Sequence, residues 1–343
     1  MSFRKDSSST AKVVQTPARH SVSAGARNAL ETLLEACHTE LPESVSLSPN
    51  AVEFSATSEK GDEVHLPTPL REQELAAAIK ALEGLLAGAI IELRSGKKSR
   101  KIRVNMDRVT GFLMGSYLTT LDGMGKGDPR VKDKIPDTDL NRAQSVLYRR
   151  MSANLYQTKN KNEYYHIHGS LNPDPTLTML NLPTSNPSSP TTTTSSPSST
   201  GIQALTYPQF LSTPTAAPSS PSPSPCAPTP RHPPHPARSL PLSTTTPNTH
   251  ALKGIKVLEL CRVIAGPTIG RSLAAHGASV LKITSPHLPD VPFFQLDVNA
   301  GKHTIHLDLK TSSTDRAAFE TLLRDADVLI DGYRPGALAR LGE

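Results

Sequence analysis

The stretch Gly254-Ile-Lys-Val-Leu-Glu-Leu-Cys-Arg-Val-Ile-Ala-Gly-Pro267, continued by Thr268-Ile-Gly-Arg-Ser-Leu-Ala-Ala-His-Gly277 and Ala278-Ser-Val-Leu-Lys-Ile283, decides the fold. Its first seven residues form an apolar run of strand length ending at Leu260. Cys261 to Gly266 make a short loop. Pro267 opens a helix, because its fixed φ suits a first turn and its missing N–H would have no intrahelical partner there. The helix runs through Ile269, Leu273 and Ala274 and stops at Gly277. Ala278 to Ile283 is a second strand. A strand–helix–strand unit of ~30 residues is the building block of a parallel sheet.

Towards the C-terminus the alternation continues. Thr304–Leu309 reads as a third strand, and Ser313 or Thr314 caps a helix over Asp315–Asp325 whose apolar face is Phe319, Leu322 and Leu323. Asp327–Asp331 is a fourth strand, and Arg334–Leu341 begins another helix. The expected fold class over 251–343 is α/β, a Rossmann-like, doubly wound parallel sheet. Such sheets bind ligands at the carboxyl ends of their strands, here Cys261–Ala265, Thr284–Pro289 and Gly332–Pro335. No Gly-x-Gly-x-x-Gly follows the first strand, which sets NAD and FAD aside. A helix N-terminus reached through small residues, with Arg262 beside it, suits phosphate or another anion. Lys302, Lys310, Arg334 and Arg340 add charge for a polyphosphate.

Towards the N-terminus the composition changes. From Pro183 to His250, 45 of 68 residues are Pro, Ser or Thr. With so few apolar side chains to offset the entropy of ordering, this segment is expected to be a disordered linker. It separates block 251–343 from an earlier block, 21–182, and a disordered tail over 1–20.

In the earlier block, Glu72–Arg94 is a helix with Leu75, Ile79, Leu82, Leu86, Ile90 and Leu93 at three- and four-residue steps, stopped by Gly96. Lys101–Asp107 alternates like a strand, and Val109–Leu121 reads as a helix. Gly123–Pro136 is a loop. Asp139–Tyr156 has helical spacing, with Asp137 or Thr138 as cap. Glu163–Ser170 is a short strand entering a turn. This block is expected to be mixed and mainly helical.

The remaining totals narrow the function. The net charge is +6, and Cys37, Cys226 and Cys261 are too few and scattered for a disulfide framework or a zinc site, which fits a reducing, intracellular compartment. No apolar run approaches the ~18 residues of a membrane span. The basic, serine-rich first 24 residues fit either a mitochondrial leader or a plain tail, so the expected location is cytoplasmic or mitochondrial. His166 and His168 share a strand face but lack ligand-spaced partners, so no metal is expected. Arg94, Lys97, Lys98, Arg100, Lys101 and Arg103 form a basic run that attracts phosphates or simply solvates a turn. With few aromatics beside it and no known module, nucleic acid is not an expected partner.

Block 251–343 resembles the opening of the class III CoA-transferases, the family of formyl-CoA and carnitinyl-CoA transferases and α-methylacyl-CoA racemase. The resemblance rests on Leu252-Lys-Gly-Ile-Lys-Val-Leu-Glu-Leu260, Ala265-Gly-Pro267 and Leu273-Ala-Ala-His-Gly-Ala-Ser-Val-Leu-Lys282. It continues in Asn299-x-Gly-Lys302, Leu307-Asp-Leu-Lys310, Ala326–Asp331 and Arg334-Pro-Gly-Ala-Leu-x-Arg-Leu-Gly342. It implies CoA thioesters as substrates, with no permanently bound cofactor, carboxylic acids as partners in exchange, and an interlocked homodimer. By position it implies CoA contacts at Arg262, Val263, Ile264, Ala265, Leu307, Lys310, Gly332, Tyr333, Arg334, Arg340 and Leu341. For Leu307 and Leu341, core packing is the alternative. Thr284 and Ser285 stand where the family has an acidic residue and often an Arg, and Gly332 where it has Asn.

The family's aspartate, which carries CoA through mixed-anhydride and acyl-enzyme steps, lies beyond the Arg334 element. The block therefore reads as a truncated front half, and the chain as a fragment, an imperfect gene model or an inactive CoA-binding subunit. Residues 82–107 resemble a later part of the family, making 21–182 a partial rear-half repeat. Counting back from Gly96 places the aspartate at Gln73 or Glu74, where Glu74 is either a relic nucleophile or an ordinary helix-start carboxylate. Racemization, with a His and a carboxylate exchanging the α-proton, is the alternative within the family.

Overall fold

The computed structural model describes residues 20–38, 41–42, 45–56, 62–66, 68–96, 101–157, 162, 164–185 and 250–341. Most of the Pro/Ser/Thr segment, the tail over 1–19, Lys97, Lys98, Arg100, Glu163 and Cys226 lie outside these residues. The chain divides into two compact units, Met1–Met114 and Gly115–Glu343. Residues 115–182 thus fold with 251–343, and the boundary falls inside the block read as 21–182.

In the first unit, helix α1 (Val22–Cys37) is capped by the Ser21 side chain, which accepts from Ala24 N–H. Strand β1 (Val52–Ser55) pairs in parallel with β2 (Ile102–Asn105). Between them runs α2 (Glu72–Ser95), ended by Gly96 at φ 66°, a left-handed cap that glycine adopts without a Cβ penalty. The α2 pattern has an unexpected side. Its large aliphatic stripe is partly outward, with Leu75, Ile79 and Leu93 exposed, while Ala77, Ala78, Ala81 and Leu85 are buried among Val22, Ala26 and Leu30 of α1. Small residues let the two helix backbones approach closely, and that contact overrides the larger hydrophobic stripe. Helix α3 (Met106–Leu113) follows β2 directly, with Asn105 as its cap.

The second unit begins with short helices α4 (Gly115–Leu118), α5 (Pro129–Lys132) and α6 (Leu147–Arg150). The helix expected over Asp139–Tyr156 is replaced. Asp139 is buried, and its carboxylate accepts from the N–H groups of Ala143, Gln144 and Ser145, which closes a tight turn. Those backbone bonds hold its carboxyl below the usual range despite burial, which opposes them. Arg142 takes φ 52°, incompatible with a helix. Tyr156 instead belongs to β3 (Ala153–Gln157), which forms an antiparallel hairpin with β4 (Tyr164–His168), and α7 (Asp174–Met179) follows. His166 and His168 do share a face, with their rings 5.8 Å apart.

The main body is a four-stranded parallel sheet of β5 (Lys256–Leu260), β6 (Ser279–Thr284), β7 (His303–His306) and β8 (Val328–Asp331), in the order β7-β6-β5-β8. Helix α8 (Ala265–Ala275) connects β5 to β6, α9 (Pro292–Val298) lies between β6 and β7, and α10 (Ser313–Asp325) between β7 and β8. This is the Rossmann-like order, with the switch point beside β5. Two faces are packed. Val257, Ala278 and Val280 pack with Leu273 and Ala274 of α8. Leu258, Leu260, Ile283, Leu307 and Leu309 pack with Phe319 of α10. Helix α10 is capped by Ser312, one residue before the expected cap, with its hydroxyl accepting from Asp315 N–H. After β8 the only helical turn among the described residues is 3-10, over Ala339–Leu341.

Segment 115–182 is joined to this body by specific bonds. Asp290 N–H donates to Thr138 O at 2.8 Å, and Gln295 Nε2 to Thr138 Oγ1 at 3.1 Å. Asp297 pairs with Arg271 at 2.7 Å and accepts from Thr119 Oγ1 at 3.2 Å. Gly115 lies so close to Asp297 that a Cβ would sit 2.8 Å from Oδ1.

Candidate functional site

The switch point beside β5 is built by close approach. Cys261, just past β5, is buried, and a Cβ at Gly266 or Gly332 would lie 2.5 or 2.8 Å from its Sγ. Glycine at both positions lets the α8 start and the β8 exit close over the end of β5. Burial and the nearby Glu259 carboxylate push the Cys261 thiol up to about 11, so it is protonated at neutral pH and a poor nucleophile.

Charge lies beneath this junction. Glu259 and Lys282 are register partners on adjacent strands, on the α8 face of the sheet. Lys302 donates to Glu259 Oε2 at 2.6 Å and to the carbonyl of Pro267 in the first turn of α8, also at 2.6 Å. Both side chains are fully buried. Burial raises the Glu259 carboxyl and lowers the Lys302 ammonium, and their mutual hydrogen bond opposes both shifts. Gly270 makes room for the pair, since a Cβ there would sit 1.8 Å from Glu259 Oε2. Lys282 Nζ donates to Asn299 Oδ1 at 3.1 Å and lies 3.7 Å from Asp290 Oδ2.

The loop above is held from the side. Val263 has φ 69°, a left-handed conformation unusual for a β-branched residue. Its N–H donates to Asp290 Oδ1 at 2.9 Å, and Arg262 Nη1 donates to Pro289 O at 2.8 Å. The Arg262 guanidinium lies 5.3 Å from the centre of the Tyr333 ring. Burial raises the Tyr333 hydroxyl, against the lowering effect of Arg262. Tyr333 is thus neutral and able to donate.

Two neighbouring cavities open at the carboxyl edge. One, of about 260 Å³, has Leu260, Ile283, Leu307 and Leu309 among its lining and also takes in Lys310, Tyr333 and Arg340. The other, of about 380 Å³, includes Lys134, Thr138, Arg262, Asp290 and His306. Thr284, Ser285, Leu288 and Tyr333 line both. Asp308 accepts from the N–H groups of Lys310 and Thr311, from the Thr311 hydroxyl and from His287 Nε2 at 2.8 Å. The Thr311 hydroxyl, then His287, hold its carboxyl well below the usual range, and the same bonds fix the backbone that presents Lys310.

Of the sequence-derived positions, Leu307, Lys310, Tyr333 and Arg340 come together at the first cavity, and Arg262 joins Tyr333 at the second. Leu307 is both a core residue and part of a cavity wall. Val263, Ile264, Ala265 and Gly332 build the loop and the close approach. Arg334 is exposed and lines neither cavity, and the Leu341 side chain lies outside the described ones. Sequence reading missed Lys282 and Asp290. Their signal was a lysine inside an apolar strand, and an aspartate set in Pro289-Asp290-Val291-Pro292.

Glu74 sits in the first unit. It is buried in the first turn of α2, yet α2 has no side-chain cap bond. Its Oε1 lies 2.6 Å from His20 Nε2, and both line a cavity of about 230 Å³ with Arg71 and Gln73. Among the described residues no group of three His, Cys, Asp or Glu side chains is placed to hold a metal, and no helix is long and apolar enough to cross a membrane.

The comparisons with known proteins point to one family. Residues 252–343 match the model of CoA-transferase family III. An acetyl-coenzyme A transferase, nodX, of Hypoxylon pulicicidum is 32% identical over 313 residues, covering 81% of this chain and 51% of that protein. A formyl-CoA:oxalate CoA-transferase of Escherichia coli O6:H1 is 36% identical over 103 residues, 26% of this chain and 24% of that one. A solved CAIB/BAIF family protein from Brucella suis is 30% identical and covers 27% of this chain and 28% of that chain, with a TM-score of 0.25. The chain spans about half the length of the first of these relatives.

Proposed function

We propose, from the match of residues 252–343 to the model of CoA-transferase family III, that the chain binds the CoA part of an acyl-CoA at the carboxyl edge of the sheet and serves CoA transfer between carboxylic acids. The observation that carries this reading is the cavity that gathers Lys310, Tyr333 and Arg340 beside the apolar Leu307 and Leu260. Two cations and a neutral phenol suit phosphate oxygens, and the apolar wall suits a flat base or a pantetheine stem. A homodimer is the proposed assembly.

The chemistry proposed is covalent. A carboxylate oxygen attacks the thioester carbonyl, the C–S bond breaks, and CoA leaves as thiolate, giving a mixed anhydride. The thiolate then attacks the enzyme's acyl carbon, releasing the first acid and leaving an enzyme–CoA thioester. The acceptor acid's carboxylate enters by the reverse sequence. The carboxylate put to the test is Glu74 of the first unit, which the family resemblance picks out by position alone; it is buried beside a cavity of its own unit, 2.6 Å from His20. The test is incubation with acetyl-CoA and hydroxylamine. Trapping of an enzyme-bound hydroxamate, lost in Glu74→Gln, supports the proposal; trapping unchanged by Glu74→Gln rejects that residue, and none at all rejects the acyl-enzyme step.

The second reading, α-proton exchange on a CoA thioester, is favoured by the His20–Glu74 pair, which joins a base to a carboxylate at 2.6 Å. Wash-out of α-deuterium from a 2-methylacyl-CoA without acid exchange would select it.

A further inference from the structure

Val263 is strained, and the segment that holds it so comes from elsewhere in the chain. A valine at φ 69° crowds its β-branch against its own backbone, so the loop after β5 would relax if left free. Asp290 supplies the restraint. One oxygen, Oδ1, accepts from Val263 N–H at 2.9 Å and from its own neighbour Val291 N–H at 2.7 Å. The carboxylate is 5% exposed, and Oδ2 has no hydrogen-bond partner. The ammonium of Lys282, 3.7 Å away and wholly buried, offsets its charge. The Asp290 backbone is anchored in turn to Thr138 O. A buried carboxylate with one oxygen unbonded is costly to fold, and such a group calls for an explanation.

We propose that Asp290 is a positioning residue: braced by Lys282, it holds Val263 in the left-handed conformation and so pre-sets the loop and Arg262 for the CoA-bearing ligand. This deepens the proposed CoA site and rests on that reading. Holding the loop before binding lowers the ordering cost that the ligand must otherwise meet. Asp290 touches no ligand in this scheme and acts through the backbone.

The test uses glycine, which reaches φ 69° without strain. CoA affinity is measured by calorimetry for the full chain, for Asp290→Ala, for Val263→Gly, and for the double variant. Asp290→Ala should weaken CoA about tenfold with Val263 present, the scale of a lost charge-assisted hydrogen bond, and about twofold or less in the Val263→Gly background. Equal loss in both backgrounds, or no loss in either, overturns the proposal. Should Asp290→Ala fail to fold, Asp290→Asn keeps an acceptor oxygen and should lose less than threefold; a tenfold loss there would contradict a backbone-holding role. Amide hydrogen exchange separates this inference from the CoA reading. Val263 N–H should be protected in the full chain and exchange faster in the Asp290 variants, with or without CoA. If the chain binds no CoA but this difference appears, the ligand reading fails and the positioning stands; if Val263 N–H exchanges equally in all variants, the positioning fails.

Discussion

The two faces of the four-stranded sheet are packed by different physics. The α10 face is apolar throughout, with Leu258, Leu260, Ile283, Leu307 and Phe319 in one cluster. The α8 face has an apolar start in Val257 and Val280, then two charged register partners, Glu259 and Lys282, with Lys302 arriving from the loop before β7. Apolar contact is non-directional and stabilises whatever fits. A buried ion pair is directional and brings little net stability, but it fixes where its partners lie. Here those partners include the first turn of α8, through Pro267 O, and the 289–291 segment that holds Val263. The apolar face makes the sheet; the charged face sets the loop that leaves it.

The largest expected effect tests this contrast. Lys302→Met leaves Glu259 buried and unpaired, and should lower unfolding free energy by about 3–5 kcal/mol. Adding Glu259→Leu should restore most of that loss while the α8 start loses its anchor, so stability returns and CoA affinity does not. Recovery of both would erase the distinction between the faces. Chemical denaturation and calorimetric titration on the same variants give the two readouts.

On the apolar face, Ser312→Ala removes the α10 cap and should cost about 1 kcal/mol with no change in CoA affinity. A change in affinity would show that the α10 face also sets the ligand site. At the seam between the faces, Cys261 should resist alkylation at pH 8, because a thiol near 11 is about one part in a thousand thiolate there, whereas partly exposed Cys37 should react. Peptide mapping distinguishes them, and fast labelling of Cys261 in the native chain would show that the seam opens.

The smallest effect concerns Asp308. Its carboxyl is lowered in the folded chain, so its contribution is present above the unfolded carboxylate value, about 4, and is lost as pH falls below it. Asp308→Asn should remove that contribution at neutral pH, by a small amount at this exposed site, and so flatten the acid limb of the stability curve. An unchanged acid limb would mean that the bonds presenting Lys310 are not formed in solution.

The α/β alternation was legible because most elements of 254–331 carry a local signal; α9 (Pro292–Val298) was not read. Apolar strands, Pro267 at a helix start and Gly277 at its end all agree with the tertiary structure. The segment 139–156 was not legible, because its helical spacing is real but one side chain, Asp139, takes three backbone donors and turns the chain. Helix α1 lies in the block read from residue 21 but was not read as a helix; its buried face, Val22, Ala26 and Leu30, packs with Ala77 and Ala81. At the candidate site, the cavity residues named beforehand came from the family resemblance, which did not point to Asp290. Its role depends on a strained valine 27 residues away, and no local pattern encodes that.

The most direct test of the account is a calorimetric titration of the chain with CoA, comparing the unaltered protein with Lys310→Ala and Arg340→Ala. The account predicts saturable binding, weakened about five- to tenfold by each change, as expected for one lost cation–phosphate contact at a partly exposed site. Binding that neither change weakens, or no binding to the unaltered protein, would contradict a CoA site at the carboxyl edge of this sheet.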